Sequence, residues 1–117
     1  MVIGLILFII TLTNWSYLMN NKIDHIALQV DDIRESVDWY VDKCGCSIIH
    51  CDDTWAMLQF DNIKLALVVE DQHPYHIAFA VDEIKWEDHI MEHRDGSVSK
   101  YIEDPSGNKI EVIKYGK

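Results

Sequence analysis

Two histidines and one glutamate are the residues whose types and placement could do chemistry together. His25 and His76 each open a short apolar stretch, HIALQV and HIAFAV, and Glu111 interrupts a third, KIEVI. An unpaired carboxylate buried in an apolar strand is costly, so Glu111 demands a cation, a hydrogen-bond network or exposure to water. Two imidazoles and one carboxylate make up the facial triad that holds a divalent transition metal and leaves coordination positions open. Open positions mark a catalytic ion rather than a structural one. The expected metal ligands are therefore His25, His76 and Glu111, with Glu111 also the expected catalytic carboxylate. The ion is expected to be Mn, Fe, Ni, Co or Zn.

Both histidines sit in an internal repeat, and the repeat defines the elements that must position them. Residues 25–34 read HIALQVDDIR and residues 76–85 read HIAFAVDEIK, with six of ten positions identical. Each copy alternates through a short strand, the first expected over 23–30, and then meets an acidic pair followed by Ile, a helix-start signal. Strand side chains alternate faces, so His25, Ala27 and Gln29 share one face while Ile26, Leu28 and Val30 share the other. In the second copy His76, Ala78 and Ala80 lie opposite Ile77, Phe79 and Val81. The bulky faces suit a core, and the histidines stand beside small neighbours.

Between the repeats the pattern predicts a helix and three strands. Asp32 is placed to cap the helix, with Glu35 at capping-box spacing, a stripe of Ile33, Val37, Tyr40, Val41 and Cys44, and Gly45 as the stop. SIIHCDD, TWAMLQFD and IKLALVVE then read as short strands joined by Asp52-Asp53 and Asp61-Asn62. The second half repeats the plan with a strand at HIAFAV, a helix over 83–95 ending at Gly96, and strands SVSKYIE and NKIEVIKY joined by the turn DPSG. No further strand is evident between that helix and Ser97. The sum is an α+β fold of paired βαβββ modules, about 22–70 and 73–115, forming a curved, mostly antiparallel sheet around a metal or ligand cleft. Aligning Lys64-Leu65-Ala66-Leu67-Val68 with Lys109-Ile110-Glu111-Val112-Ile113 puts Ala66 at the position of Glu111. The site is expected to have three protein ligands, not four.

Other residues are candidates for substrate binding. Trp55, Met57 and Gln59 alternate on one strand face and could line a pocket. Lys100 falls near Glu111 if DPSG closes a simple hairpin. His89 and His93 lie four apart on the expected second helix, but the sequence HIMEH is not the zinc-protease motif.

Composition narrows the partners. With 20 acidic against 10 basic side chains the net charge is −10, which argues against nucleic acid and leaves room for a neutral, cationic or metal-held ligand. Cys44, Cys46 and Cys51 form an odd set without zinc-finger spacing, read as reduced thiols of a cytoplasmic protein. Residues 1–21 form an apolar leader. Its apolar run breaks at Asn14 before a comfortable membrane span, and the segment lacks the flank and cleavage site of an export signal. A weak anchor, a packed extension and a segment upstream of a start at Met19 are the three readings, and membrane association is not expected.

HIALQVDDIRESVDWY, HIAFAV and DPSGNKIEV together resemble the vicinal oxygen chelate superfamily, which groups glyoxalases, bleomycin-resistance proteins and extradiol dioxygenases. The resemblance runs from residue 22 to 115. It implies that His25 is the ligand from the first module and that His76 and Glu111 come from the second. This set is similar to that of fosfomycin-resistance thiol transferases and extradiol dioxygenases, whereas glyoxalase I and the epimerases carry Glu or Gln where Ala66 stands. The implied activity is that of a metal-dependent lyase, thiol transferase or dioxygenase-like enzyme acting on a small oxygenated substrate. The alternative is a metal-free dimer of the bleomycin-resistance kind that sequesters a cationic small molecule. Short chains of this superfamily form homodimers, so His25 is expected to meet His76 and Glu111 either in its own chain or across two subunits.

Overall fold

The computed structural model describes residues 19–84 and 90–116. Its strands are β1 (Met19–Gln29), β2 (Ser47–Cys51), β3 (Trp55–Gln59), β4 (Lys64–Val68), β5 (His76–Val81), β6 (Met91–Glu92), β7 (Val98–Glu103) and β8 (Lys109–Lys114), and its helix is α1 (Ile33–Cys44). The eight strands form one curled sheet in the order β2-β3-β4-β1-β5-β8-β7-β6. Each module contributes one half, and its first strand runs parallel to its last, β1 beside β4 and β5 beside β8. The halves join where β1 and β5 pair antiparallel. The α+β plan of paired modules is therefore the fold of this chain.

The expected helix forms for the expected reasons. The Asp32 side chain accepts from the Glu35 N–H, and Gly45, at φ 71°, closes the helix by donating to the Val41 carbonyl. A left-handed residue here suits glycine, which has no Cβ to clash. Ile33 and Val37 are buried against Leu58, Leu65 and Leu67 on the outer face of the first half-sheet, where Ile26, Leu28 and Val30 also pack. The buried stripe is shorter than expected, because Val41 and Cys44 are exposed. In the second half Val81, Ile84, Val98 and Val112 form a smaller core.

Two expectations are corrected. β1 begins at Met19, four residues ahead of the expected start at 23. The helix expected over 83–95 does not form in its described part. Residues 85–89, with His89, lie outside the described residues, and Met91–Glu92 is instead a short strand paired with Ser99 and Val98. This is the strand that was not evident in the sequence. The physical reason is the Asp95-Gly96 pair. Gly96, at φ 89°, turns the chain, its N–H donates to the His93 carbonyl, and Asp95 accepts from the Ser97 N–H and hydroxyl. Asp-Gly between two extended segments is hairpin chemistry, and it overrides the irregular apolar spacing that read as a helix. The N-terminal segment 1–18 also lies outside the described residues. Among the described residues no helix is long and apolar enough to cross a membrane.

Candidate metal centre

The site grows out of strand register. Lys64, His25, Ala78, Glu111 and Tyr101 are successive partners across β4, β1, β5, β8 and β7, so one row of side chains crosses the inner face of the sheet. In the neighbouring row Ala66, Ala27 and His76 are successive partners across β4, β1 and β5. His25 and Glu111 are two strands apart, roughly 10 Å in backbone spacing. Their side chains meet because Ala78, fully buried between them, is too small to intervene.

His25, His76 and Glu111 are all buried, and their ligand atoms lie within 4.8 Å of one another. His25 Nε2 is 3.2 Å and His76 Nε2 is 3.3 Å from the same Glu111 Oε1. The two rings meet edge to face, with centroids 5.6 Å apart. All three side chains belong to one chain. The other ring nitrogens are already committed, His25 Nδ1 to Asp24 Oδ2 and His76 Nδ1 to the Pro74 carbonyl, each at 2.8 Å. Histidine ligands are held in this way, with one nitrogen donating to an acceptor so that the other presents its lone pair. Ala66 stands where a fourth ligand would stand, and the methyl group offers none.

The electrostatics follow from this crowding. Burial opposes ionisation of Glu111, but hydrogen bonds from His25, His76 and Ser99 prevail and hold its carboxyl well below the usual carboxylate range. Burial pulls the His25 imidazole down, yet the Asp24 and Glu111 carboxylates outweigh it and raise the ring above its ordinary value. Burial pushes Tyr101 up, the Glu111 charge adds to this, and the phenol stays protonated at physiological pH. For His73, burial and the neighbouring His76 both favour the neutral ring.

Several neighbours were not apparent from the sequence. Tyr101, not Lys100, opposes Glu111, and its hydroxyl lies 3.3 Å from His76 Nδ1 and 3.4 Å from His73 Nδ1. Lys100 pairs with the fully buried Val112 and so takes the opposite face of the sheet. The cause is the turn. Asp104 and Asn108 close a loop in which Gly107 is left-handed at φ 85°, a type I turn with a one-residue bulge, and one extra residue moves every following side chain to the other face. His93 also reaches the site, with Nε2 2.8 Å from Ser99 Oγ and 4.0 Å from Glu111 Oε2. Recognising Asp95-Gly96 as a hairpin turn would have placed it there.

Trp55, Met57 and Gln59 share the inner face but lie on β3, two strands from His25. Trp55 stacks on His50, and Gln59 donates to its neighbour's carbonyl at Phe60. Met57 pairs with Ala66 and Gln59 with Lys64, so these two extend the ligand rows by one strand.

A family model for the Glyoxalase/Bleomycin resistance protein/Dioxygenase superfamily matches residues 22–112. The chain belongs to that superfamily. Among curated members it is 30% identical to the metallothiol transferase FosB of Staphylococcus haemolyticus (strain JCSC1435), over 80% of this chain and 84% of the relative. It is 23% identical to the glutathione transferase FosA of Serratia marcescens, over 80% and 81% of the two chains. Among solved structures it resembles hypothetical protein BH1468 of Bacillus halodurans C-125, at TM-score 0.70 and 18% identity, covering 84% of this chain and 96% of that one. The methylmalonyl-CoA epimerase of Streptomyces coelicolor aligns at TM-score 0.65 and 19% identity, covering 82% and 98%. These structural likenesses establish the superfamily fold, and the chemistry has to be argued from the site.

Proposed function

We propose that the protein is a metal-dependent enzyme of the thiol-transferase type, joining a thiol to a small oxygenated electrophile. The observation that carries this reading is the convergence of His25 Nε2, His76 Nε2 and a Glu111 oxygen, with both Nδ1 atoms already bonded elsewhere. The donor set fits a divalent transition ion, two borderline nitrogens and one hard oxygen, and the charge balance fits as well, because a cation offsets a buried carboxylate. His25, His76 and Glu111 would hold the ion, whose identity among Mn, Fe, Ni, Co and Zn is left to measurement. Lewis-acid polarisation of a substrate oxygen is the chemistry such an ion supplies.

The rest of the work falls to the chain. In thiol transfer the sulfur forms a bond to carbon, the carbon–oxygen bond breaks, and the released oxygen takes up a proton. Tyr101, kept protonated beside His76, offers a hydrogen bond to an oxygen at this place. The lysine of the ligand row, Lys64, is already bonded to Asp24. A neutral or singly charged electrophile therefore suits the row better than a multiply charged anion. The likeness to the metallothiol transferase and glutathione transferase relatives supports the choice of a thiol as second substrate.

Metal analysis of protein purified without chelator tests the reading. Wild type is expected to carry about one equivalent of a first-row divalent metal and Glu111→Ala almost none, because three ligands are the minimum for such a site. The metal-loaded protein should then consume a thiol in the presence of small epoxides. If folded wild type takes up none of the five metals, the enzyme reading fails and the metal-free sequestering dimer replaces it.

A further inference from the structure

We propose that Asp24, backed by Lys64 and Tyr115, is a positioning residue that fixes the imidazole of His25 with its Nε2 lone pair turned to the metal centre. Consecutive residues of a regular strand point to opposite faces, so Asp24 should point away from His25. It does not, because the register of β1 against β5 shifts between Ile23, opposite Phe79, and His25, opposite Ala78. One extra residue in β1 makes a bulge, and bulges re-aim side chains. Asp24 is thereby brought to 2.8 Å from His25 Nδ1.

Both carboxylate oxygens are engaged. The Tyr115 hydroxyl donates to Oδ2 at 2.5 Å, and Lys64 Nζ lies 3.2 Å from Oδ1. Lys64 also reaches the Tyr115 hydroxyl at 3.2 Å and sits 4.8 Å from the centre of its ring. Four groups from β1, β4 and the segment after β8 thus form a closed cluster in which His25, Lys64 and Tyr115 all meet the Asp24 carboxylate. An ionised carboxylate only accepts, so the nitrogen facing Asp24 carries a proton, and Nε2, which otherwise donates to Glu111, is the nitrogen that gives up its proton when an ion binds.

The repeat shows that this arrangement is specific to the first module. Tyr75 occupies the position of Asp24 in the second copy and is exposed, and His76 takes its Nδ1 acceptor from the Pro74 carbonyl. One histidine is held by a charged side chain that substitution can remove, the other by a backbone group that it cannot.

This inference rests on the metal reading for its consequence but not for its geometry, and the experiment separates the two. The imidazole nitrogens of the full-length, 15N-labelled protein are recorded without metal at alkaline pH, and zinc affinity is measured by competition with a chromophoric chelator. Wild-type His25 should show the Nδ1–H tautomer. Asp24→Ala should shift it to mainly Nε2–H and weaken zinc binding by about 10- to 100-fold, the range for lost outer-shell partners. Asp24→Asn, which keeps an oxygen acceptor, should retain the tautomer and lose less affinity. Tyr115→Phe should lose less than about tenfold, since it removes one support and not the acceptor itself. If Asp24→Ala does not fold, the Asn and Phe variants decide. A folded Asp24→Ala protein that keeps the Nδ1–H tautomer, or zinc affinity unchanged in all three variants, overturns the proposal. Wild type that binds no zinc would defeat the metal reading, while the tautomer comparison would still decide the role of Asp24.

Discussion

Two histidines that share one carboxylate oxygen form a proton trap as well as the proposed metal site. The raised His25 and the depressed Glu111 act on stability at opposite ends of the pH scale. A histidine raised by folding contributes stability that is complete below its ordinary value of 6.5 and is lost as pH rises through the folded value. A depressed carboxylate contributes stability that is complete above its ordinary value of 4.5 and is lost as pH falls through the folded value. The metal-free protein should therefore be most resistant to urea between these two ordinary values, with midpoints falling towards alkaline pH. Urea titrations across pH check this, and an unchanged alkaline decline in His25→Gln would assign the decline to another group. Metal reverses the alkaline trend, because an ion must displace the proton from His25 Nε2. Affinity should rise with pH until the folded value of His25, raised above the ordinary 6.5, has been passed, as measured by chelator competition.

Individual elements reached their places by signals of unequal range. The helix α1 was legible because Asp32, Glu35 and Gly45 act within a few residues of one another. The pairing of His25, His76 and Glu111 on one face was legible because each lies in a short strand whose alternation can be counted. Lys100 and Tyr101 exchanged places because the turn Asp104–Asn108 holds one residue more than a simple four-residue closure. Gly107 carries that difference, at φ 85° with open space around its Cβ position. Gly107→Ala should therefore cost about 1 kcal/mol through backbone strain alone, measured by chemical denaturation. A loss near zero would show that the loop relaxes into another turn. The bulge at Asp24 left no trace in the local sequence, because it exists only where β1 meets β5, more than fifty residues downstream.

At the scale of the whole molecule, the candidate metal centre straddles the seam between modules, with His25 on one side and His76 and Glu111 on the other. An ion bound there ties the halves together, and binding only the folded state stabilises it by mass action. At a free metal concentration 100-fold above Kd the gain is about 2.7 kcal/mol. This should appear as a rise of roughly 10 °C in Tm for a domain of this size, and Glu111→Ala should show none of it. Calorimetry with and without metal is the measurement. Separate transitions for the two halves would show that the seam does not couple them.

The hydroxyl of Tyr115 on Asp24 also sets a clock during synthesis. The two residues are 91 positions apart, so at ordinary translation rates roughly 5 to 20 s pass between the appearance of one and the other. During that interval His25 has Asp24 beside it but not yet the Tyr115 that backs it, and His76 and Glu111 are made only 51 and 86 positions after His25. A nascent chain in this condition has no assembled centre with which to seize whichever ion is most abundant. If the centre binds metal as proposed, the choice of ion is deferred until Glu111 has been made and the sheet has closed around it.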